Sequence, residues 1–106
     1  MQITITARHC EVPERLRERA RTLVERLARV APRPHHGKVV FIGDHGPTVE
    51  IQLHVPHGEI HVGRAQGADH ASALDLAVAR VRRQLDKAPQ RRRKGTIGRR
   101  AKRGLP

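Results

Sequence analysis

The side chains of this chain best suited to chemistry are its arginines and lysines, which number 22 against 10 acids. An arginine guanidinium is planar, stays charged at any physiological pH and can hold two phosphate oxygens at once. Two sets fall within segments of helical pattern: Arg15, Arg19, Arg26 and Arg29 in one, and Arg80, Arg82, Arg83 and Lys87 in the other. The pattern predicts a phosphate-binding surface built from two helices.

The densest charge lies in residues 88–106, which carry eight basic side chains and no acid. Four of them are consecutive: Arg91, Arg92, Arg93 and Lys94. Most of the net charge of +12 therefore comes from this segment. Such charge opposes a compact fold and favours a polyanionic partner, with nucleic acid as the first candidate. We predict a disordered arm that orders along RNA; a solubilising tail without a partner is the alternative.

A solvated helix face is the alternative interpretation of the helical arginines. In the first helix it would pair acids with arginines three or four positions on: Glu14 with Arg17, Glu18 with Arg21, and Glu25 with Arg29. The first helix leaves the two interpretations equally open. The second helix has only Asp75 and Asp86 as acids, so its pattern favours phosphate binding.

Eight histidines raise the question of a metal site. A short turn at residues 56–58 would place His54 across from His61 on the outer face of a hairpin, with His57 at the tip and residues 35–36 nearby. Two or three imidazoles can hold zinc. No thiolate or carboxylate stands at a typical ligand spacing, however, so we expect no metal and no other cofactor. Partial protonation near pH 6 would instead add positive charge to this face.

Catalysis has one further candidate pair, His9 and Cys10. Neighbouring strand residues point to opposite faces, so these two cannot form a nucleophile and its base. The carboxylates are scattered, and no P-loop or dinucleotide-binding glycine pattern is present. We therefore expect no enzymatic activity.

One small domain must position these side chains, because the chain without its tail has room for a single core. Alternation predicts strands over residues 2–6, 48–55 and 59–64, and a β-rich composition predicts one over residues 38–42. Apolar residues at helical spacing predict one helix from Pro13 to about Ala31 and another from Asp69 to Pro89. The predicted fold is α+β, βαβββα, with a four-stranded sheet and two helices on one face. The domain would span residues 1–87 and the tail residues 88–106.

The last two strands should form a hairpin with its aliphatic residues facing the core. The inward residues would be Val49, Ile51, Leu53 and Val55 on the first strand, and Ile60 and Val62 on the second.

Composition limits the remaining possibilities. Phe41 is the only aromatic residue, so no stacking platform for bases exists and recognition must use phosphates, riboses and shape. Cys10 is the only cysteine, which excludes an internal disulfide. The first residues show no signal-peptide pattern, and the longest aliphatic run, residues 39–42, is far too short to span a bilayer. We expect a cytoplasmic protein that makes no membrane contact.

Three segments in this order resemble a known family. Residues 1–6 (MQITIT) begin the first strand, residues 58–62 (GEIHV) the last strand, and residues 67–75 (GADHASALD) the last helix, which continues through residues 80–87 (RVRRQLDK). Together they resemble the bacterial ribosome hibernation-promoting factors, also called ribosome-associated inhibitors or sigma-54 modulation proteins. Family members usually have an aromatic residue in the first turn of the last helix, where this chain has His70 and Ala71.

The resemblance implies a double-stranded-RNA-binding-like βαβββα fold and the short form of the family. Such factors bind the small ribosomal subunit and its rRNA at the decoding region, block messenger and transfer RNA binding, and inhibit translation in slow growth or stress. We expect a monomer when free. A general double-stranded RNA-binding or ribosome-assembly module is the alternative, and a protein-protein module localised by its basic tail is a third possibility.

Overall fold

The computed structural model describes residues 1–31, 34, 36–55 and 59–87. Its elements follow in the order β1 (Gln2–Arg8), α1 (Glu14–Val30), β2 (His36–Ile42), β3 (Thr48–His54), β4 (Ile60–Gln66) and α2 (His70–Lys87). The predicted βαβββα order is confirmed. Five of the eight strand ends differ from the predicted ends, each by one or two residues.

The four strands form one sheet in the order β1-β2-β3-β4. β1 pairs in parallel with β2, whereas β2–β3 and β3–β4 are antiparallel. Parallel neighbours require a crossover, which α1 supplies. Because β1, β2 and β4 run the same way and each helix returns from the end of a strand, α1 and α2 run in the same direction.

Both helices cover one face of the sheet, and each approaches it closely at a glycine. A Cβ on Gly37 of β2 would lie 2.8 Å from Val24 of α1, and a Cβ on Gly63 of β4 would lie 2.8 Å from Val81 of α2. The core between the layers is aliphatic around the fully buried Phe41. The opposite face of the sheet carries polar side chains along β1 and β3, and Arg64 and Gln66 on β4.

His70 lies at the start of α2 and contacts the end of β2. Its ring packs edge-on against Phe41, with 5.8 Å between the ring centroids. Its Nε2 lies 2.9 Å from the carbonyl oxygen of Ile42, within hydrogen-bond distance. The imidazole therefore packs on Phe41 and also connects the start of α2 to the end of β2.

The two helices begin in different ways. The N-cap of α1 is Pro13, which makes no side-chain cap hydrogen bond, although Glu14 lies in the first turn. Asp69 caps α2, because its Oδ1 accepts a hydrogen bond of 2.8 Å from the backbone N–H of Ser72. This hydrogen bond holds the pKa of Asp69 below its ordinary value of 3.8.

The predicted inward face of β4 is wrong. Ile60 and Val62 are 49% and 41% exposed, whereas His61, Gly63 and Ala65 face the helices. The reason is the close approach of α2, because a Cβ at position 63 already collides with the backbone of Ala77. Small side chains are needed there, and a shift of one residue turns every side chain to the other face.

The predicted pairing of His54 with His61 is also wrong. His54 pairs with Ile60, and His61 pairs with Leu53 on the inner face, because the connection is longer than a two-residue turn. His54 instead lies beside His36 of β2, with 5.7 Å between the ring centroids. His61 is buried, and its Nε2 makes no hydrogen bond within the described residues.

His9 and Cys10 lie beyond the end of β1 rather than within a strand. They have different partners: Nδ1 of His9 is 3.6 Å from Asp44, and Sγ of Cys10 donates to the carbonyl oxygen of Phe41 at 3.5 Å. Val30, the last residue of α1, is 42% exposed because it lies at the edge of the helix's apolar stripe. The tail of residues 88–106, with Arg91, Arg92, Arg93 and Lys94, and the histidines at 35 and 57 lie outside the described residues.

Candidate nucleic-acid interface

Helix α2 divides its basic residues between two flanks. Successive helical residues turn by about 100°, so Arg80, Arg83 and Lys87 share one flank, within an arc of about 60°. All three are exposed. We call this set the edge flank, because Arg80 also donates a hydrogen bond to the carbonyl oxygen of Arg64 at the free edge of β4. The edge flank contains no acid.

Arg82 lies on the other flank of α2, together with both of that helix's acids. Its Nε is 3.5 Å from Asp86, one helical turn further on. Asp75 of the same flank binds Arg19 of α1 at 2.8 Å. We call the set Arg19, Asp75, Arg82 and Asp86 the interhelical seam. The predicted ridge of four basic residues on α2 is therefore two surfaces, and only one of them is purely basic.

Helix α1 turns three of its six arginines toward α2 and its acids away from it. Arg15, Arg19 and Arg26 share one flank, within an arc of about 40°. Glu14, Glu18 and Glu25 lie roughly 100° further around the helix, with Arg29 between the two sets. None of these acids pairs with an arginine among the described residues, so the ion pairs of the solvated-face alternative are not formed.

The ion pair that joins the helices is solvent-exposed. The side chains of Arg19 and Asp75 are 52% and 57% exposed, and such pairs contribute little net stability because water and salt screen them. A phosphate could therefore replace the aspartate at small cost. Between the seam and the edge flank, α2 presents Ser72 and Ala79, whose short side chains leave its backbone open to close approach.

Arg64 is a basic residue that the sequence interpretation missed. It lies on β4 with its side chain 60% exposed and 3.1 Å from Glu50 of β3. Strand alternation alone marks it as outward-facing, but its proximity to Arg80 depends on how α2 packs over the edge of the sheet. Gln84 lies at the same edge: the backbone N–H of Val62 donates to its Oε1 at 3.1 Å, and its Nε2 donates to the Val62 carbonyl oxygen at 2.5 Å.

The described residues contain no group of three or more His, Cys, Asp or Glu side chains that could hold a metal ion. Neither α1 nor α2 is apolar enough over a sufficient length to form a membrane span.

A protein-family model matches residues 3–93, and its description reads sigma 54 modulation protein / S30EA ribosomal protein. The chain belongs to this family. Membership makes it a ribosome-associated protein and agrees with the resemblance that its strand and helix starts indicate. A comparison with curated proteins finds no match.

Two solved structures share the fold. The crystal structure of the Thermus thermophilus Protein Y N-terminal domain is 27% identical, with a TM-score of 0.72, and the match covers 82% of this chain and 98% of that one. A ribosomal subunit interface protein from Coxiella burnetii is 21% identical, with a TM-score of 0.70, and the match covers 82% and 96%. The second likeness concerns the fold alone.

Proposed function

We propose that this protein is a cytoplasmic ribosome hibernation factor. It binds the small ribosomal subunit and its rRNA at the decoding region, blocks messenger and transfer RNA binding, and inhibits translation in slow growth or stress. The binding surface is the outward side of the two-helix layer, extended by the basic tail. The family assignment supports the ribosome as the partner.

The observation that carries this proposal is the separation of charge on the helices. The edge flank is acid-free, and the arginine row of α1 faces α2 while the α1 acids point elsewhere. A surface that bears cations on both sides of α2 fits the sugar-phosphate backbone of folded RNA, where such contacts fix position without reading sequence. With a single, buried aromatic residue, the domain has no stacking platform, so shape and phosphates must provide recognition.

The proposed mechanism needs no bond-making step. A basic domain held on the decoding region occupies the volume that messenger and transfer RNA would fill, so inhibition is steric and electrostatic. The domain spans residues 1–87, and residues 88–106 add affinity through their eight charges without selecting the site.

Co-sedimentation with purified small subunits and whole ribosomes, with and without bound transfer RNA, tests the proposal. We expect saturation at one copy per small subunit and loss of binding when transfer RNA is present. Arg83→Glu should weaken binding strongly. Arg21→Glu is the matched control, because it makes the same charge change on the flank of α1 that faces away from α2.

Two outcomes would contradict the proposal. Binding that never saturates, spreads over both subunits and disappears with modest salt would identify a general RNA-binding module. Equal binding by the parent, Arg83→Glu and Arg21→Glu proteins would mean that the helix surface does not contact the ribosome, as a protein-protein module requires.

A further inference from the structure

A small cavity lies where the β2–β3 turn, the end of β4 and the middle of α2 meet. Its volume is about 330 Å³. This lies at the lower end of the range for small-molecule sites, about 300–1,000 Å³. The residues that line it are His45, Thr48, Arg64, Ala65, Gln66 and Arg80. No carboxylate is among them, and three of the six can carry a positive charge.

The walls of the cavity are fixed by hydrogen bonds. Nε2 of Gln66 donates to the carbonyl oxygen of His45 at 2.7 Å, and the Gly67 N–H donates to the carbonyl oxygen of Pro47 at 3.1 Å. A Cβ at Gly46, where φ is +97°, would collide with the Gln66 amide, so the turn closes tightly on β4. The turn is therefore held at a set distance from the strand and the helix, as a preformed site requires.

Arg80 is the best-placed cation of the cavity. One of its five N–H donors binds the carbonyl oxygen of Arg64, which limits the freedom of the side chain and leaves the remaining donors available. Arg64 shares its charge with Glu50 at 3.1 Å, and Glu50 also accepts from Gln52 at 2.8 Å. The net positive charge of the cavity therefore comes from Arg80, and the imidazole of His45 lies beside it as a further possible donor.

The nearby carboxylates do not neutralise Arg80. Asp44, next to His45, lies 3.6 Å from His9, and Glu50 is engaged by Arg64 and Gln52. We infer that the cavity is a phosphate-binding subsite, which takes one phosphate group through Arg80 and His45. Two sources share this chemistry: the terminal phosphate of a nucleotide and a phosphodiester of an RNA backbone. The inference does not depend on binding to the ribosome.

Titration of the full-length protein followed by NMR tests the inference, because the eight cations of residues 88–106 would obscure a bulk binding measurement. The probes are sodium pyrophosphate, adenosine monophosphate and a short RNA duplex. We expect saturable shifts of the Arg80 Nε–H and the His45 and Gln66 backbone amides. Arg80→Gln should weaken this response at least tenfold, and Arg21→Gln, which makes the same loss of charge on the flank of α1 that faces away from α2, should preserve it.

His45→Gln separates binding from folding, because it removes the imidazole from the cavity but leaves the backbone carbonyl that anchors Gln66. We expect several-fold weaker shifts in an otherwise unchanged spectrum. Saturable shifts with adenosine monophosphate would identify a nucleotide phosphate, and shifts with the duplex alone would identify an RNA phosphodiester. Equal losses in Arg80→Gln and Arg21→Gln, or shifts confined to the tail, would overturn the inference. None of these outcomes alters the co-sedimentation result expected for the proposed function.

Discussion

The side-chain amide of Gln84 hydrogen-bonds the free edge of β4, as the backbone of a further strand would. Removing this amide should change the stability of the protein measurably. Its amide both accepts from the N–H of Val62 at 3.1 Å and donates to the carbonyl oxygen of Val62. Two such bonds contribute roughly 0.5–1.5 kcal/mol each. Water can replace the amide at this exposed edge, so the combined loss should lie at the lower end of the range for two bonds. We expect Gln84→Met to lower the free energy of unfolding by about 1 kcal/mol. A domain of this size should then lose about 4–8 °C in Tm.

Methionine is the informative replacement because it keeps the length and helix propensity of glutamine while removing both hydrogen bonds. Urea unfolding and sedimentation velocity are the measurements, since an uncovered strand edge also invites pairing with a second copy. Gln2→Met is the control, because Gln2 is exposed at the opposite edge of the sheet and its side chain makes no hydrogen bond within the described residues. If Gln84→Met is as stable and as monomeric as the parent protein, the amide does not protect the edge.

Three further predictions concern packing, pH and the tail. Gly63→Ala should destabilise the protein by about 3 kcal/mol in urea unfolding, because the new Cβ meets the backbone of Ala77; a parent-like midpoint would mean that α2 lies further from the sheet. The lowered pKa of Asp69 stabilises the fold above its ordinary value of 3.8, and this contribution is lost as pH falls through the folded-state pKa. The stability advantage over Asp69→Asn should therefore be largest near neutral pH and shrink below about pH 4, whereas a constant difference would contradict the cap's ionic contribution. Deleting residues 88–106 should flatten the dependence of log affinity on log salt, by about 0.7–0.9 for each lost phosphate contact, without changing the ribosomal site; binding at a new site would show that the tail selects it.

The helices could be predicted well from the sequence, because the apolar residues that each helix buries repeat at helical spacing. Leu74, Ala77 and Val81 of α2, for example, repeat at helical spacing and are fully buried. The inward face of β4 was more difficult to predict, because one face carries large apolar side chains and the other carries small residues. Ile60 and Val62 look like core residues by size, yet the helix above requires Gly63 and Ala65, and only the tertiary packing reveals that requirement.

Part of the candidate site could likewise be predicted from the sequence, and part depends on how the helices pack. That Arg82 stands on a different flank from Arg80 and Arg83 follows from helix geometry and was available from the sequence. The pairing of Arg19 with Asp75 could not be predicted from the sequence, because these residues are far apart in the chain and meet only through the packing of the helices. The roles of Arg15, Arg26, Arg29 and the tail in RNA binding stay predictions.

The parallel pairing of β1 with β2 has a consequence for the route by which the chain folds. Gln2 pairs with His36, 34 positions later, whereas Ile42 pairs with Thr48 and His54 with Ile60, each only six positions later. Closing the longer loop costs about 1.5 kcal/mol more in chain entropy. The β2–β3–β4 meander can therefore form first and present an edge onto which β1 assembles with α1. Substitutions in β1 should mainly accelerate unfolding, and substitutions in the meander should slow the refolding rate.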